Sequence, residues 1–572
     1  MASPGTFARL EESLAAAVRG QGADPGAGLL ERPKDAGRGD YATGAALRLA
    51  KTLKQNPRAI AEELAETLAA HEDVEAAEVA GPGFVNLRLT PAARCAVVDA
   101  ALAAGDSFGT QEASGRKVLL EFVSSNPTGP LHVGHGRAAA LGDSLARILR
   151  AAGDQVATEY YLNDRGLQTD VLAASLWLRA VPGLQGEEKP LPAGAYQGDY
   201  MKEVAAAWRR RHPGGTLPEP PWLEFAWPDD REAGARLAEI ARRELGEDFE
   251  ALRKYAVEAL GAMIETELRG FNVAFDRWFS ERELATSGAI EAAIKKLEEG
   301  GHVYEKDGAK WFRSAAFGDD KDRVLVRANG ELTYFAADVA YHADKAGRGA
   351  DLLLALFGAD HHGYVPRLRA AFEALGHDPA KLEFDIIQFV ALVNAGDRIK
   401  MSTRAGSFAL LADLIAAIGP DAARLHYVLA RGDVHMDFDV GRAASRSNDN
   451  PVHYIQYAHA RGCSLLAKWG GRVEELPAAD PAHLGDERAA KVLAELNWYE
   501  PTLRQAARQR EPHRVAHWLI ALAGALHGYY DHVPVLGGDE AGLPARLALV
   551  AATRQALACG LALLGAGAPT KM

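Results

Sequence analysis

Residues 117–153 read KVLLEFVSSNPTGPLHVGHGRAAALGDSLARILRAAG. Val118–Val123 is an apolar run too short for a helix and rich enough for a buried strand. Ser124–Pro130 is built of turn formers. Beyond it Leu141, Leu145, Ile148 and Ala152 share one helical face, and Gly153 is the stop. Strand, glycine-containing loop and helix make the first crossover of a nucleotide-binding α/β fold. Ligands of such a fold sit beyond the carboxyl end of the strand, with phosphate at the helix N-terminus. That corner holds His132-Val133-Gly134-His135, two imidazoles around a glycine that admits a ligand close to the backbone.

Two readings of the corner compete. Gly134–Ala139 fits the dinucleotide pattern G-x-G-x-x-G/A, with Glu159 at about the right distance to hold a ribose. This favours an NAD-dependent oxidoreductase. The alternative takes His132 and His135 together, as an HxGH pair that hydrogen-bonds the phosphates of ATP. The sequence downstream separates them. A strand-like run over Phe384–Val393 leads into Lys400-Met401-Ser402-Thr403-Arg404-Ala405-Gly406. A lysine on a loop facing a histidine corner suits phosphoryl chemistry with ATP, because it neutralises charge building on the leaving pyrophosphate. The dinucleotide reading leaves this loop unexplained.

Outward from these stretches, the 572 residues have room for three or four domains. Residues 1–110 read as a small α+β domain, with helices at Phe7–Val18 and Ile60–Leu68. There Val85, Leu87 and Leu89 alternate with Asn86 and Arg88 as in a half-buried strand. Residues 113–445 carry the Rossmann-type parallel sheet. Strands are expected at Gln155–Leu162, Val324–Val326, Leu352–Phe357 and Phe384–Val393, and a helical insertion at about 167–290. From Gly406 onward the pattern is almost wholly helical, and 446–572 reads as an all-α bundle. Arg209-Arg210-Arg211 reads as a solvated helix face.

The net charge of −13 disfavours general adhesion to nucleic acid. Residues 440–572 carry +2 and the remainder −15, so a polyanion is best tolerated by the C-terminal part. Three dispersed cysteines form no C-x-x-C, which argues against zinc and disulfides and for a reduced cytosol. No signal-like N-terminus and no apolar run of membrane-spanning length stand out.

These motifs together resemble the class I aminoacyl-tRNA synthetases, specifically the arginyl-tRNA synthetase family, over nearly the whole chain. Glu121–His135 is similar to the HIGH region and Lys400–Gly406 to the KMSKS loop. Gly39–Thr43 and Gly81–Asn86 look like marks of the N-terminal domain. Ser447–Arg461 resembles the start of the anticodon-binding domain. The resemblance implies formation of arginyl-adenylate from arginine and ATP, then transfer to the 3′ end of tRNA(Arg). It further implies Mg²⁺, bound tRNA in the first step, and tRNA contacts by both terminal domains. A cytoplasmic monomer without membrane association or structural metal is the accompanying expectation. A synthetase-like tRNA-binding protein that has lost activation is the non-enzymatic alternative.

Residue by residue, the resemblance assigns His132, His135, Lys400 and Arg404 to catalysis. Gly134, Gly136, Met401, Ser402, His361 and His362 fall to ATP. Arginine is expected to meet Glu121, Ser124, Asn126, Tyr334, Asp338 and Asp360. A guanidinium is planar and permanently charged, so its pocket needs carboxylates, and Tyr334 and Asp338 are spaced to share a helical face. The motif Asp360-His361-His362 could also be read as metal ligands, but adjacent residues rarely point at one ion. Tyr454, Tyr457 and Arg461 are assigned to tRNA, and His459 is a further stacking candidate. One departure stands out. Thr403 replaces the second KMSKS lysine, and Thr128 stands where some relatives carry a compensating lysine. Arg404 is the cation placed to substitute.

Overall fold

In the computed structural model Lys117–Glu121 forms the expected strand, β1, and Val133–Ala151 the helix, α1. Residues 5–181, 191–213, 217–225, 228, 230–394, 397–398 and 410–572 are described. They fall into two compact units: residues 113–444, and residues 1–112 together with 445–572.

In the first unit β1 is the middle of a five-stranded sheet. Its other strands are β2 (Gln155–Leu162), β3 (Arg277–Ser280), β4 (Leu352–Gly358) and β5 (Leu382–Ile387). The order is β5-β4-β1-β2-β3 and every pairing is parallel. The chain winds one way from β1 to β3, then crosses back to β4 on the other side of β1. That reversal opens the ligand crevice beyond the carboxyl ends of β1 and β4. Parallel strands covered on both faces are apolar throughout, and Val118, Leu119, Leu120, Leu353 and Leu354 are all buried. Helix α1 lies close on the sheet because Gly142 has no side chain. A Cβ there would stand 2.3 Å from the ring of Phe122.

Three expectations need correction. Arg323–Val326 is a strand, but it belongs to a separate antiparallel sheet with Val303–Lys306 and Ala309–Phe312. The run Phe384–Val393 is two strands. Gln388 donates its N–H to the carbonyl of Gly432 at 2.8 Å, and its own carbonyl accepts from Arg137 Nη1 at 2.8 Å. These bonds take the chain out of the β5 ladder. Val390–Asn394 then pairs with Met436–Asp439, a strand inside the region expected to be helical. Finally, Arg277-Trp278-Phe279-Ser280 returns to the sheet as edge strand β3. The helices Leu167–Ala180, Tyr200–Arg211, Ala233–Leu245 and Asp248–Gly270 therefore finish before it. They share their own core around Leu172, Trp177, Met201, Leu237 and Leu252.

The second unit has an antiparallel sheet in the order Tyr41–Thr43, Phe84–Leu89, Val74–Ala80. Val85, Leu87 and Leu89 are buried, as their alternation requires. Thr6–Gly20 and Pro57–Ala69 extend the two expected helices by a residue or more at each end. The C-terminal helices are Pro451–Trp469, Glu487–Asn497, Tyr499–Gln509, His513–His532 and Leu543–Leu563. Leu543–Leu563, although interrupted by Arg546 and Arg554, is long and apolar enough to cross a bilayer by length and composition. It is mostly buried, packed on Pro451–Trp469 and His513–His532.

Candidate active site

The chain leaves β1 in an unusual conformation. Val123 has φ 68° and Ser124 φ 42°, the left-handed region that L residues avoid at about 1–3 kcal/mol each. For a β-branched valine this is rare. The bend brings Ser124 Oγ back to donate to Glu121 Oε1 at 2.9 Å and to accept from the N–H of Tyr161 at 3.1 Å.

The next corner is the N-terminus of α1, capped by His132. Its Nδ1 accepts from the N–H groups of Gly134 (3.1 Å) and His135 (3.2 Å). His135 Nδ1 accepts in return from the N–H of His132 at 3.3 Å. The rings stack with centroids 3.5 Å apart. With both Nδ1 atoms accepting, Nε2 carries the proton in both, and each neutral ring is left with one N–H donor. Desolvation lowers both pKa values, that of His135 to about 3. Asp360, at the exposed end of β4, is near enough to His132 to oppose that shift. Gly136 is buried, and a Cβ there would meet Leu411 at 2.5 Å and Tyr427 at 3.2 Å. Its smallness serves packing, whereas a Cβ at Gly134 would meet only the ring of His132, at 3.0 Å.

Lys400, Met401, Ser402, Thr403 and Arg404 lie outside the described residues. Their flanks return to the same corner. Leu410 forms a β-bridge with His132, and the N–H of Leu411 donates to the carbonyl of Leu131 at 2.8 Å. On the other side Arg137, fully buried, donates to the carbonyls of Gln388 (2.8 Å) and Arg431 (2.7 Å).

Behind the corner stands a group of acids. Glu121 is buried and ion-paired with Lys345 of helix α2 (Tyr334–Gly347), and Tyr341 also donates to it at 3.2 Å. Burial opposes its ionisation, but Lys345 outweighs that and holds its pKa below the usual carboxylate range. Asp338 has no such partner. Burial, then the charges of Glu281 and Glu121, raise its pKa to about 8. Glu281, buried at the start of the helix after β3, is raised to about 7 by burial. The hydroxyl of Tyr161 and the amide of Asn163 are its neutral hydrogen-bond partners. Tyr334 is 52% exposed at the rim.

The structure thus brings Ser124 onto Glu121, and sets Asp338 near enough to feel the charge of Glu121, one helical turn from the exposed Tyr334. Asn126 is exposed, its amide on Gln168 Oε1 at 2.7 Å. Asp360, His361 and His362 are exposed beyond β4, with Asp360 Oδ2 3.4 Å from His361 Nε2. Sequence reasoning missed Glu281 and Lys345. Lys345 is eleven residues past Tyr334, three helical turns along the same face, and that spacing was the available signal. Glu159 is no ribose ligand. It is buried, accepts from Tyr341 at 2.7 Å, and pairs with Arg348 and, at 3.8 Å, Arg277.

In the second unit Tyr457 (38% exposed) and Tyr530 (37%) flank the guanidinium of Arg461, which lies 5.4 and 3.9 Å from their ring centroids. Tyr454 lies tilted against His527, centroids 4.6 Å apart, and His527 Nδ1 lies 3.0 Å from Arg461 Nη1. Tyr530 and His527 were not anticipated. His459 is buried with Nδ1 on the carbonyl of Pro569 at 2.9 Å, so it offers no stacking surface.

Three family models match the chain. The arginyl tRNA synthetase N terminal domain covers residues 8–89. The class I (R) tRNA synthetase catalytic domain covers 97–190 and 236–425, and the DALR anticodon binding domain 455–572. An arginine–tRNA ligase of Aromatoleum aromaticum is 47% identical, covering 95% of each chain. One of Halorhodospira halophila is 48% identical, covering 95% of this chain and 94% of its own. The Thermus thermophilus arginyl-tRNA synthetase structure superposes with a TM-score of 0.78 at 26% identity, covering 99% of this chain and all of that one.

Proposed function

This chain belongs to the arginyl-tRNA synthetase family and joins arginine to tRNA using ATP, and we propose the following division of labour among its residues. The acid pocket takes the guanidinium. Asp338 supplies the carboxylate and Tyr334 a ring face against the planar cation. Glu121, already neutralised by Lys345, stays polar and, with Ser124 and Asn126, orients the α-amino and carboxylate end. The observation that carries this reading is Asp338, a partly buried carboxyl without a described cation in hydrogen-bond contact, which feels the charges of Glu281 and Glu121 more than those of Lys345 and Arg367.

His132 and His135 stand over the α-phosphate and donate through Nε2–H to charge that grows as the arginine carboxylate attacks phosphorus. The bond to the pyrophosphate oxygen breaks as the acyl–phosphate bond forms. Gly134 admits the phosphates to the helix N-terminus. Lys400 neutralises the departing pyrophosphate, and Arg404 takes the place of the second lysine that Thr403 replaces. Met401, Ser402, His361 and His362 border the nucleotide. Mg²⁺ suits this set as an ion carried mainly on the phosphates, with the exposed Asp360 carboxylate as the residue within reach. When bound it would share in neutralising the phosphates. Tyr454, Tyr457 and Arg461 stack against tRNA bases, and we expect activation to require tRNA. We further propose a cytoplasmic monomer with no membrane association.

The test is arginine-dependent ATP–pyrophosphate exchange, with and without tRNA. Asp338→Ala removes one partner of a desolvated ion pair, a loss of roughly 2–5 kcal/mol. The arginine KM should rise at least about thirtyfold with little change for ATP. Equal losses for both substrates would defeat the assignment.

A further inference from the structure

Tyr334, Asp338, Tyr341, Lys345 and Arg348 recur at steps of four and three residues, so they share one face of α2 and of the residue that caps it. The last three meet a pair of acids on the sheet. Glu121 of β1 and Glu159 of β2 are partners in the parallel ladder, two buried carboxylates side by side. Like charges set directly opposite each other across a ladder repel, and more so away from water. Arg277 of β3 is the next partner in the row and lies 3.8 Å from Glu159. Lys345 pairs with Glu121, and Arg348 with both Glu159 and Asp344. These ion pairs balance the charge, but none of them stands between the two glutamates.

Tyr341 does. Its hydroxyl lies 3.2 Å from Glu121 Oε2 and 2.7 Å from Glu159 Oε1. A phenol has a single proton to donate, and this one serves both carboxylates. The ring that carries it is buried and held on several sides. Tyr161 of β2 and Phe279 of β3 lie tilted against it, with centroids 4.5 and 4.7 Å away, and Lys345 Nζ is 4.1 Å from its centre. We propose that Tyr341 is a positioning residue for arginine: its hydroxyl ties Glu121 to Glu159 and so fixes the Glu121 carboxylate where arginine meets it. The proposal rests on the placement of Glu121 in the arginine site.

The acceptor count of Glu121 shows what is fixed. An ionised carboxylate offers about four lone-pair sites. Oε2 accepts from Tyr341 and Lys345, and Oε1 accepts from Ser124 Oγ at 2.9 Å. What remains for a donor of the substrate is on Oε1, and its direction is set by the bonds the other sites make. Without the hydroxyl the two glutamates face each other with no proton between them. Glu121 then turns from Glu159, and Oε1 leaves its place. Tyr341, 2% exposed, acts through Glu121 and not on arginine itself. Its contribution therefore belongs to arginine binding rather than to the chemical step.

The experiment is pyrophosphate exchange by the full-length protein with tRNA present, for Tyr341→Phe, Glu159→Gln and the two combined. Tyr341→Phe keeps the ring and its packing and removes only the hydroxyl. Its arginine KM should rise about tenfold, the scale of one hydrogen bond to a charged group, with the ATP KM and kcat within about twofold. The combined variant separates positioning from packing. An amide at position 159 carries no charge to repel Glu121, so adding Tyr341→Phe to Glu159→Gln should raise the arginine KM no further. An unchanged arginine KM in Tyr341→Phe would overturn the proposal. The same loss in both backgrounds would overturn it too, because the hydroxyl would then support the fold without regard to Glu159. Glu121→Gln tests the premise separately. A wild-type arginine KM there would remove Glu121 from the arginine site, whereas a raised one beside an unaffected Tyr341→Phe would overturn the positioning role alone.

Discussion

His132 and His135 each engage Nδ1 with a backbone N–H of the turn they cap, and this settles what the two rings can do. Each is locked in the Nε2–H tautomer, and desolvation keeps both neutral. They are donors fixed in place before charge develops, so they need no proton from solution. Measured at saturating arginine, kcat should therefore show no limb controlled by His135 between about pH 6 and 8. The sign is fixed by the shift: a pKa lowered below its ordinary value moves any protonation loss into acid. Removing one donor costs about 10²–10³ in rate. His135→Ala should lose that much in pyrophosphate exchange while the arginine KM stays within a few-fold. A variant with near-normal turnover would show that the rings only cap the helix. At this scale the sequence displayed both imidazoles and the glycine between them. It could not display the tautomer, which depends on the turn closing so that each Nδ1 meets a backbone N–H.

The buried pair Lys345–Glu121 is the electrostatic tie between α2 and β1, and it shows how an element fixes the pocket. Glu121 ends the strand, and Lys345 reaches it from the last turn of the helix whose first turns carry Tyr334 and Asp338. Removing one partner of a buried pair leaves an uncompensated charge, at about 3–5 kcal/mol. Lys345→Met should lower the unfolding free energy measured by urea titration by that amount, and Glu121→Gln added to it should restore much of the loss. Independent, additive losses would show that the two residues do not depend on each other. The same scale separates what was legible from what was not. β1, β2 and β4 announced themselves because apolar runs bounded by turn formers are what doubly covered parallel strands require. β3 did not, since an edge strand of four residues beginning with Arg277 has too little apolar signal next to the long helix before it. The break at Gln388 was hidden for another reason. It arises from bonds to Arg137 and Gly432, distant partners that no local pattern encodes.

At the scale of the molecule, the regions before and after the catalytic unit form one body, although more than 300 residues lie between them. The sequence reading separated 1–110 from 446–572 because each has its own periodicity and nothing local links them. Their contact is a core as well as a surface. Helix Pro91–Ala104 packs on Leu543–Leu563 and on Glu487–Asn497. Tyr41, fully buried, sets its ring edge-on to Trp498 at 5.5 Å and donates to the carbonyl of Asn497 at 3.2 Å. Arg32 grips Glu495 with two hydrogen bonds, 3.1 and 2.7 Å. Asn497 donates to the carbonyl of Arg94, and Gln555 to Asp106, both at 2.9 Å. Cutting the chain after Arg446 would therefore strip the N-terminal region of its packing partner as well as removing the proposed tRNA-binding face. Loss of charging in such a truncation would not report on tRNA contacts alone. Substitutions at Tyr457 or Tyr530 are cleaner, because a stacked base is worth about 1–3 kcal/mol and the fold around these exposed side chains stays intact. The unit makes its own prediction. Residues 1–112 and 445–572, expressed together as separate chains, should co-purify as a one-to-one complex with the helix content of both. Each expressed alone exposes the apolar face that Tyr41, Trp498 and Leu543–Leu563 now share, and should be poorly soluble or unfolded by circular dichroism. Two fragments that fold independently and ignore each other in gel filtration would show that the contact depends on the catalytic unit holding both ends.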